Sequence, residues 1–355
     1  MTHARIAGSA LAAFLIATVA VASEHPAIRN ATLTTQSAAT GLDGVLSTLI
    51  ERQDDEAWVG YEVPLLAGHR MYCGASSHEC LCRLESRHQS YSQTSDDDSE
   101  ESEPSAMTIL FRIADNRIDK IRAYSSYCEL DAGNLPFIWL DDVRPSESVA
   151  LLESMTDPSN RSVSHDKDVV DEAITALAFH ADPAAQLALE RLVEPSRPRE
   201  VRKQAVFWVG QNSGDRGVET LRKVLHDDPD DKVREGAVFA LSCCKNPAAL
   251  DLLVDVARKD EDPGIRSNAL FWLANKAGEK SAEAIADAAK DDPDSDVKER
   301  AVFALSQLPR EKGVPLLIDV AKSNPSAKVR KQAIFWLGQS NDPRALAFFE
   351  DLLTH

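Results

Sequence analysis

The chain has 355 residues, 43% hydrophobic and 27% charged, which is enough apolar sequence for one large domain or two ordinary ones. Its 57 acidic and 39 basic residues give a formal net charge of −18. This charge argues against nucleic acid as a main partner, because a polyanion would be repelled at long range. Six cysteines are too few for a disulfide-dense scaffold.

The first 22 residues have the pattern of a secretory signal peptide. Arg5 precedes an uncharged, mostly apolar stretch over 7–22, which ends in the small-x-small sequence Ala-Val-Ala at 20–22. The stretch is shorter than the roughly 20 residues of a bilayer-spanning helix, which favours cleavage after Ala22 over an uncleaved anchor. We therefore expect an extracytoplasmic protein of the periplasm, with no stable membrane insertion after cleavage.

The next part of the chain is predicted to hold a small domain. Residues 23–45 are rich in alanine and threonine and are expected to form a flexible lead-in. Residues 46–145 do not share the pattern of the second half and are predicted to form a small α+β domain. Within it, residues 93–106 contain a run of acidic and serine residues, which predicts a disordered loop.

Two segments of this domain have strand patterns. Residues 57–66 read as an extended segment. Residues 108–125 alternate apolar and polar side chains on both sides of Asp115-Asn116, which predicts a β-hairpin with its turn at that pair.

Four of the six cysteines lie in the same small domain. Four cysteines in an exported domain suggest two disulfides, with three pairings open. A metal site that includes His78 is the alternative, although the C-x6-C-x-C spacing matches no strong zinc pattern. Cys243 and Cys244 are adjacent, which would strain a bridge between them, and are expected to be free. The disulfide candidates are Cys73, Cys80, Cys82 and Cys128.

From residue 146 to residue 355 the sequence repeats with a period of 32. Each period contains a short apolar helix pattern and a second one, exemplified by RKQAVFWVGQ at 202–211 and RKQAIFWLGQ at 330–339. Ala173 stands one period earlier in a degenerate sixth copy. Asp-Pro and Asn-Pro pairs place a cap and a first-turn proline where three of the shorter helices begin. The central alanines of the five clear copies are Ala205, Ala237, Ala269, Ala301 and Ala333.

This pattern resembles the HEAT repeat, in particular the short bacterial form of phycobilisome-lyase-like HEAT proteins. The matching elements are the Asp-Pro-type loop, the Val-Arg pair (as in Val233-Arg234) and the following Ala-x-x-x-Leu. The resemblance implies a mainly α protein with a right-handed HEAT-like α-α superhelix over 146–355, preceded by the small α+β domain. It also implies that the second helix of each copy lines a concave face.

A helical wheel divides each second helix into a core side and a free side. In one copy the core stripe is predicted on the side that carries Val233, Ala237, Val238 and Leu241. The residue two after the central alanine falls about 200° away on a 100° step, and it is phenylalanine in all five copies. We name this set the phenylalanine ladder: Phe207, Phe239, Phe271, Phe303 and Phe335.

A second row runs beside the ladder, six residues after each central alanine. Aromatic side chains offer apolar area and amides can pair with backbone groups, a combination that suits a bound protein segment. The alternative is that each phenylalanine packs against the next helix and is hidden. We name the row the amide row: Gln211, Asn275, Gln307 and Gln339, with Cys243 in the second copy.

Two further periodic positions are interpreted as packing. Trp208, Trp272 and Trp336 alternate with alanines, as expected where large and small side chains interdigitate between repeats. The basic residues three before each central alanine are expected to pair with loop acids such as Asp230 and Asp262, tying the repeats together.

No sequence motif for catalysis is present, so no catalytic residue, metal ligand or cofactor is assigned. His78-Glu79 is the one His-Glu dipeptide and lies outside the repeats, which argues against an iron site of the hydroxylase type built on this scaffold. The sequence predicts a non-catalytic adaptor that binds a protein or peptide of the cell envelope. The alternative is an enzyme or enzyme subunit on the same scaffold, lyase-like or oxidoreductase-like.

Overall fold

The computed structural model describes residues 25–52, 55–72, 81–86, 91–94, 105–212, 214–276 and 278–354. The predicted signal peptide, Cys73, Cys80 and most of the predicted acidic loop lie outside these ranges. The strands within them are β1 Ile28–Arg29, β2 Thr32–Ser37, β3 Ala57–Pro64, β4 His69–Tyr72, β5 Leu81–Arg83, β6 Tyr91–Thr94, β7 Ala106–Ala114, β8 Arg117–Ser125, β9 Glu129–Asp131 and β10 Pro136–Asp141.

Fourteen helices lie in the described ranges, most of them in the second half. They are α1 Leu42–Arg52, α2 Pro145–Ser154, α3 Lys167–Phe179, α4 Pro183–Leu192, α5 Arg199–Asn212, α6 Gly214–Asp227, α7 Asp231–Cys243, α8 Pro247–Lys259, α9 Pro263–Lys276, α10 Glu279–Asp291, α11 Ser295–Gln307, α12 Arg310–Ser323, α13 Ala327–Gln339 and α14 Pro343–Thr354.

The N-terminal region is built on a five-stranded mixed sheet in the order β2-β10-β3-β7-β8. β2, β10 and β3 run parallel, and β3, β7 and β8 are antiparallel neighbours. The predicted hairpin over 108–125 is confirmed as β7 and β8. Its turn residues Asp115 and Asn116 have φ of 50° and 56°, the left-handed conformation that a two-residue hairpin turn requires and that Asp and Asn tolerate.

Residues 23–45, expected as a flexible lead-in, contain β1, β2 and the start of α1 in the structure. The side chains of β2 are exposed along its whole length, so its sequence carries no apolar alternation to predict a strand. β2 is held instead by main-chain pairing with β10, from Thr32 opposite Pro136 to Ser37 opposite Asp141. Edge pairing of this kind depends on backbone groups and not on side-chain burial.

The sheet has two buried faces that belong to two apolar cores. One face, with Val59, Phe111 and Ile121, shares a continuous core with α1, α2, α3 and the repeat helices. The other face, with Trp58 and Trp139, belongs to a smaller core that also contains Cys82 and Cys128. The predicted boundary at 145/146 coincides with the start of α2, and the division into domains stays a prediction.

From α2 onward the helices form two layers. The inner layer is α3, α5, α7, α9, α11 and α13, and the outer layer is α2, α4, α6, α8, α10, α12 and α14. Neighbouring helices contact each other more extensively in the inner layer than in the outer layer. Closer packing on one side of a stacked array is the geometry of the inside of a curve, as in an α-solenoid.

The helix caps and the core stripe of the repeats are as predicted. Asp182, Asn246 and Asp342 accept hydrogen bonds from backbone N–H groups two residues on, at 2.8–2.9 Å. All five central alanines are fully buried. In the part of the chain that the structure describes, no helix has the length and apolar character needed to cross a membrane.

Candidate binding surface

The five phenylalanines of the ladder lie on the inner helices and are all accessible to solvent. Phe207, Phe239 and Phe303 are half-buried. Phe271 and Phe335 have 44% and 56% of their surface exposed. Each stands two residues after a fully buried alanine, so the helix that buries the alanine turns the phenylalanine outward. The next inner helix packs against part of Phe239 and Phe303, through Trp272 and Trp336, and it hides none of the five rings completely.

The three tryptophans extend the ladder and do more than fill space between repeats. Trp272 lies between Phe239 of the preceding repeat and Phe271 of its own, with ring centroids 4.8 and 5.1 Å apart. Trp336 lies between Phe303 and Phe335 in the same way, at 5.3 and 5.1 Å. All three tryptophans are half-buried. Tilted and edge-on contacts at these distances fix the rings while leaving part of each ring open.

At the N-terminal end, Trp208 has two aromatic neighbours. Phe207 lies 4.9 Å away and Phe179 lies 5.0 Å away. Phe207 also stacks on Phe239 at 5.9 Å with nearly parallel rings. His69 of β4 contacts Phe179 at 5.2 Å. These ring contacts run from the N-terminal sheet to Phe271, and Phe303, Trp336 and Phe335 form a second group further along the inner layer. We call the two groups together the aromatic strip.

Phe179 and His69 were not among the residues predicted from the sequence. Phe179 stands six residues after Ala173, the position that belongs to the amide row in later copies. The 32-residue register alone could have identified Phe179, but Ala173 belongs to the degenerate copy. His69 lies outside the repeats and has no sequence signal that links it to them.

The amide row is exposed along its length. Gln211, Asn275, Gln307 and Gln339 are all exposed, and Cys243 is half-buried. Asn275 donates to the Phe271 carbonyl at 3.1 Å, and Gln307 donates to the Ser306 hydroxyl at 3.0 Å. These bonds leave the side-chain carbonyl of each amide as an acceptor. Exposed amides therefore follow the ladder phenylalanines four residues later on the same inner helices.

Charged residues beside the ladder are largely neutralised in place. Lys203 pairs with Glu200 at 3.2 Å and Lys232 pairs with Glu235 at 2.7 Å. Lys328 pairs across repeats with Glu299. Exposed pairs of this type contribute about 0–1 kcal/mol each. They therefore add little to stability, and they pair part of the charge next to the ladder locally.

Buried arginine–aspartate pairs hold neighbouring repeats together. Arg266 donates from Nε and Nη2 to the two carboxylate oxygens of Asp292, both at 2.9 Å. Arg202 makes the same bidentate contact with Asp228, at 2.7 and 3.1 Å. The hydrogen bonds to Asp292 raise the pKa of the Arg266 guanidinium. Two parallel bonds fix both partners and so set the spacing of the helices that carry the ladder.

The acids in these pairs differ from those predicted. Asp230 was a predicted partner, but it caps α7 by accepting from the backbone of Lys232 and Val233, and its outer oxygen pairs with Arg199 at 2.9 Å. Of the predicted acids, Asp262 does contact Arg234, at 3.1 Å. In both aspartates one oxygen accepts from the backbone at a helix start and the other oxygen pairs with an arginine. The buried bidentate pairs are made by the earlier aspartates of the loops, Asp228 and Asp292.

Two of the cavities among the described residues differ in their position relative to the ladder. The larger, of about 390 Å³, lies between α4 and α6 in the outer layer, and its Glu190 and Arg191 are already paired with Arg216 and Glu153. The smaller, of about 220 Å³, lies between α11, α12 and α13 and includes Gln307, Gln339 and Trp336. Only the smaller one adjoins the ladder and the amide row.

The remaining predicted residues divide between the cores and the undescribed ranges. Cys82 and Cys128 are both buried in the small core. Cys243 and Cys244 are free thiols, as predicted. Among the described residues no group of three His, Cys, Asp or Glu side chains is arranged to hold a metal ion. His78 lies outside the described residues.

Comparison with known protein families identifies the repeats. Residues 187–274, 218–306 and 282–355 each match the family model for HEAT repeats. The matches overlap and run from within α4 to the end of the chain. The helical array is therefore a HEAT-like solenoid. No curated protein matches the sequence.

Solved structures with helical repeats resemble parts of the chain. Human deoxyhypusine hydroxylase is 18% identical, with a TM-score of 0.28, over 58% of this chain and 90% of its own. The CpcE–CpcF complex of phycocyanin lyase from Nostoc sp. is 21% identical, with a TM-score of 0.33, over 44% and 99%. AlkD2 from Streptococcus mutans is 18% identical, with a TM-score of 0.38, over 54% and 97%. At these scores none of them supports an inference about what this chain does.

Proposed function

We propose that the protein is an exported, non-catalytic adaptor that binds a polypeptide segment along the phenylalanine ladder. The observation that carries the proposal is that all five ladder phenylalanines are accessible and that Phe271 and Phe335 are largely exposed, because large exposed apolar side chains that recur on one face are typical of interaction surfaces. Aromatic side chains held rigidly by their neighbours also lose little conformational entropy on binding.

The amide row supports a polypeptide as the ligand. A bound segment brings its own backbone N–H and C=O groups, which lose water when the segment is buried and need partners. Exposed amides spaced one repeat apart supply both donors and acceptors for such groups. The local ion pairs beside the ladder favour recognition by shape and hydrogen bonding over long-range charge.

The proposal includes a periplasmic location and disulfides in the N-terminal region. A cleaved signal peptide over 1–22 would deliver the protein to the periplasm, where disulfides form. Cys82 and Cys128 support two disulfides in the N-terminal region, because both are buried in one small core and neither is a free thiol. The partner would then be another cell-envelope protein.

Site-specific cross-linking in cells tests this function. A photoreactive benzoylphenylalanine is placed at Phe271 or Phe335 of the ladder, and in a matched control at Leu187, which is 41% exposed on outer helix α4. We expect cross-linked polypeptide products of defined mass from the two ladder positions and none of those products from Leu187. The same products from all three positions, or none from the ladder, would contradict the proposal.

A further inference from the structure

The cavity between α11, α12 and α13 is at the C-terminal part of the aromatic strip. Its apolar wall is formed by Leu308, Leu317 and the ring of Trp336, and its polar edge includes Gln307, Gln339 and Arg310. Leu308 and Leu317 are buried, while Gln307, Gln339 and Arg310 are exposed. The cavity thus has an apolar wall, and the larger part of its lining is polar.

The 32-residue register shows why this cavity exists. The equivalent place four repeats earlier lies between α3, α4 and α5. Trp208 stands there in the position that Trp336 has beside the cavity. There the residue equivalent to Gln307 is Phe179, whose ring packs edge-on against Trp208 at 5.0 Å. Phe179 is buried. The later position has Gln307 instead of the phenylalanine. Phe303, one turn earlier on α11, contacts Trp336 at 5.3 Å, and the cavity lies beside Gln307.

A second replacement opens the cavity further. Asn212, which follows the amide row in the first copy, donates to the Ala178 carbonyl at 2.5 Å and closes the end of that site. The equivalent residue after Gln339 is Ser340, whose hydroxyl donates back to its own helix at Leu337. The shorter serine therefore does not reach across to the preceding repeat.

The size of the cavity decides which kind of ligand suits it. At about 220 Å³ it is smaller than the roughly 300–1,000 Å³ of small-molecule sites. It is larger than the roughly 150 Å³ apolar cavity that is known to admit a benzene ring. One aromatic side chain fits this range.

Charge at the mouth adds a second requirement. The Arg310 guanidinium has no hydrogen-bond or ion-pair partner among the described residues. The nearby Asp342 carboxylate accepts its side-chain hydrogen bonds from Arg344, at 2.7 and 2.9 Å. Asp342 lies near Arg310 as well, but its hydrogen bonds go to Arg344, so the N–H donors of Arg310 are left for a ligand that carries a carboxylate beside its ring.

We infer that this cavity is an anchor pocket for one aromatic side chain of the bound polypeptide, with an acidic residue next to it in sequence. The inference rests on the proposed function for the identity of its biological ligand. Binding of an aromatic carboxylate by the pocket can be tested without that ligand. The incoming ring takes the place on Trp336 that Phe179 takes on Trp208, and the acidic group lies at Arg310.

Phenylacetate is a probe that tests the pocket alone, because it joins one ring to one carboxylate. We expect saturable binding to the full chain in the roughly millimolar range, detected by NMR or by tryptophan fluorescence. Gln307→Phe, which recreates the filled site, should weaken binding at least about tenfold without lowering the melting temperature. Gln211→Phe, the same substitution in the first copy, is the matched control and should leave binding unchanged.

Two further results complete the test. Arg310→Gln should weaken phenylacetate several-fold, and benzylamine, which has the opposite charge, should bind more weakly than phenylacetate to the unmodified protein. Equal binding of phenylacetate to the parent protein and to Gln307→Phe, or no binding at all, would overturn the anchor pocket. Either result leaves the ladder cross-linking experiment unaffected, so the two failures are distinguishable.

Discussion

The Phe239 ring lies 4.8 Å from the Trp272 ring of the following repeat, and both side chains remain partly open to solvent. The contact that ties one repeat to the next is thus part of the surface proposed to bind a partner. A shift of one repeat relative to the next would separate these rings and so change the shape of the proposed binding surface. The substitutions below test the parts that hold this arrangement.

Loss of the buried Arg266–Asp292 pair is expected to destabilise the solenoid strongly. Replacing Arg266 with methionine leaves the Asp292 carboxylate buried without its guanidinium, which costs about 3–5 kcal/mol of unfolding free energy. The control is Arg258→Met, which removes an exposed pair with Asp287 and should cost at most about 1 kcal/mol. Urea unfolding measures both, and equal losses would show that the buried pair does not hold the repeats.

Two equivalent glycines should respond to alanine in opposite directions. A Cβ on Gly210 would lie 2.8 Å from the Ala240 Cβ and 2.9 Å from its carbonyl oxygen, whereas a Cβ on Gly338 meets nothing within 4 Å. Gly210→Ala should therefore destabilise by about 1–3 kcal/mol. Gly338→Ala should stabilise by about 0.5–1 kcal/mol, because alanine favours the helix.

Thermal or urea unfolding of the two glycine variants gives the comparison directly. Stabilisation by Gly210→Ala would mean that α5 and α7 do not approach as closely as described.

His180 should make the protein less stable as the pH falls. Burial lowers the pKa of His180 to about 4, below the roughly 6.5 of an unfolded histidine. The unfolded chain therefore binds a proton that the folded chain does not, and the stability from this residue is complete above about pH 6.5 and decreases towards pH 4. The full loss is about 3 kcal/mol.

The check is the unfolding free energy of His180→Gln at several values of pH between 7 and 4. This variant should lose about 3 kcal/mol less over that range than the parent protein. The exposed His165→Gln should follow the parent. Parallel curves for all three proteins would show that His180 is not buried as described.

Thiol counting checks the proposed disulfides and, with them, export. In denaturant without reductant we expect two reactive thiols, Cys243 and Cys244, and after reduction we expect six. Six reactive thiols before reduction in protein isolated from the periplasm would contradict the disulfides. The N-terminal residue of the same preparation should be Ser23 if the signal peptide is cleaved as predicted.

The repeat array could be predicted from the sequence because the same helix positions must be buried in each copy. The second helix of each copy must bury an alanine where the helices pack most closely. The five central alanines, from Ala205 to Ala333, therefore recur at a constant spacing. The ladder follows from the same register, since a residue two places on must point away from the core. What the register could not decide was whether a neighbouring helix covers the ring, because that depends on the curvature of the whole array.

Other features left no local signal. β2 is a strand because β10 offers it a backbone edge, and its exposed side chains carry no alternation that reveals this. The tryptophans were predicted as packing because large and small residues alternate, but Trp272 has faces turned both to the core and to the ladder. The pocket at Gln307 depends on a glutamine where a distant copy has Phe179. The sequence shows this difference, but only the structure shows that it leaves a cavity.

If the ladder binds a polypeptide, the dissociation constants of selected peptides depend on its phenylalanines. Peptides are enriched from a random displayed library on the purified protein, and their affinity is measured for the parent, for Phe271→Asp with Phe335→Asp, and for the outer-layer control Leu187→Asp. We predict that the double ladder variant loses at least about tenfold in affinity, some 1.4 kcal/mol, while Leu187→Asp binds as the parent does. Peptides that bind all three proteins equally would contradict the claim.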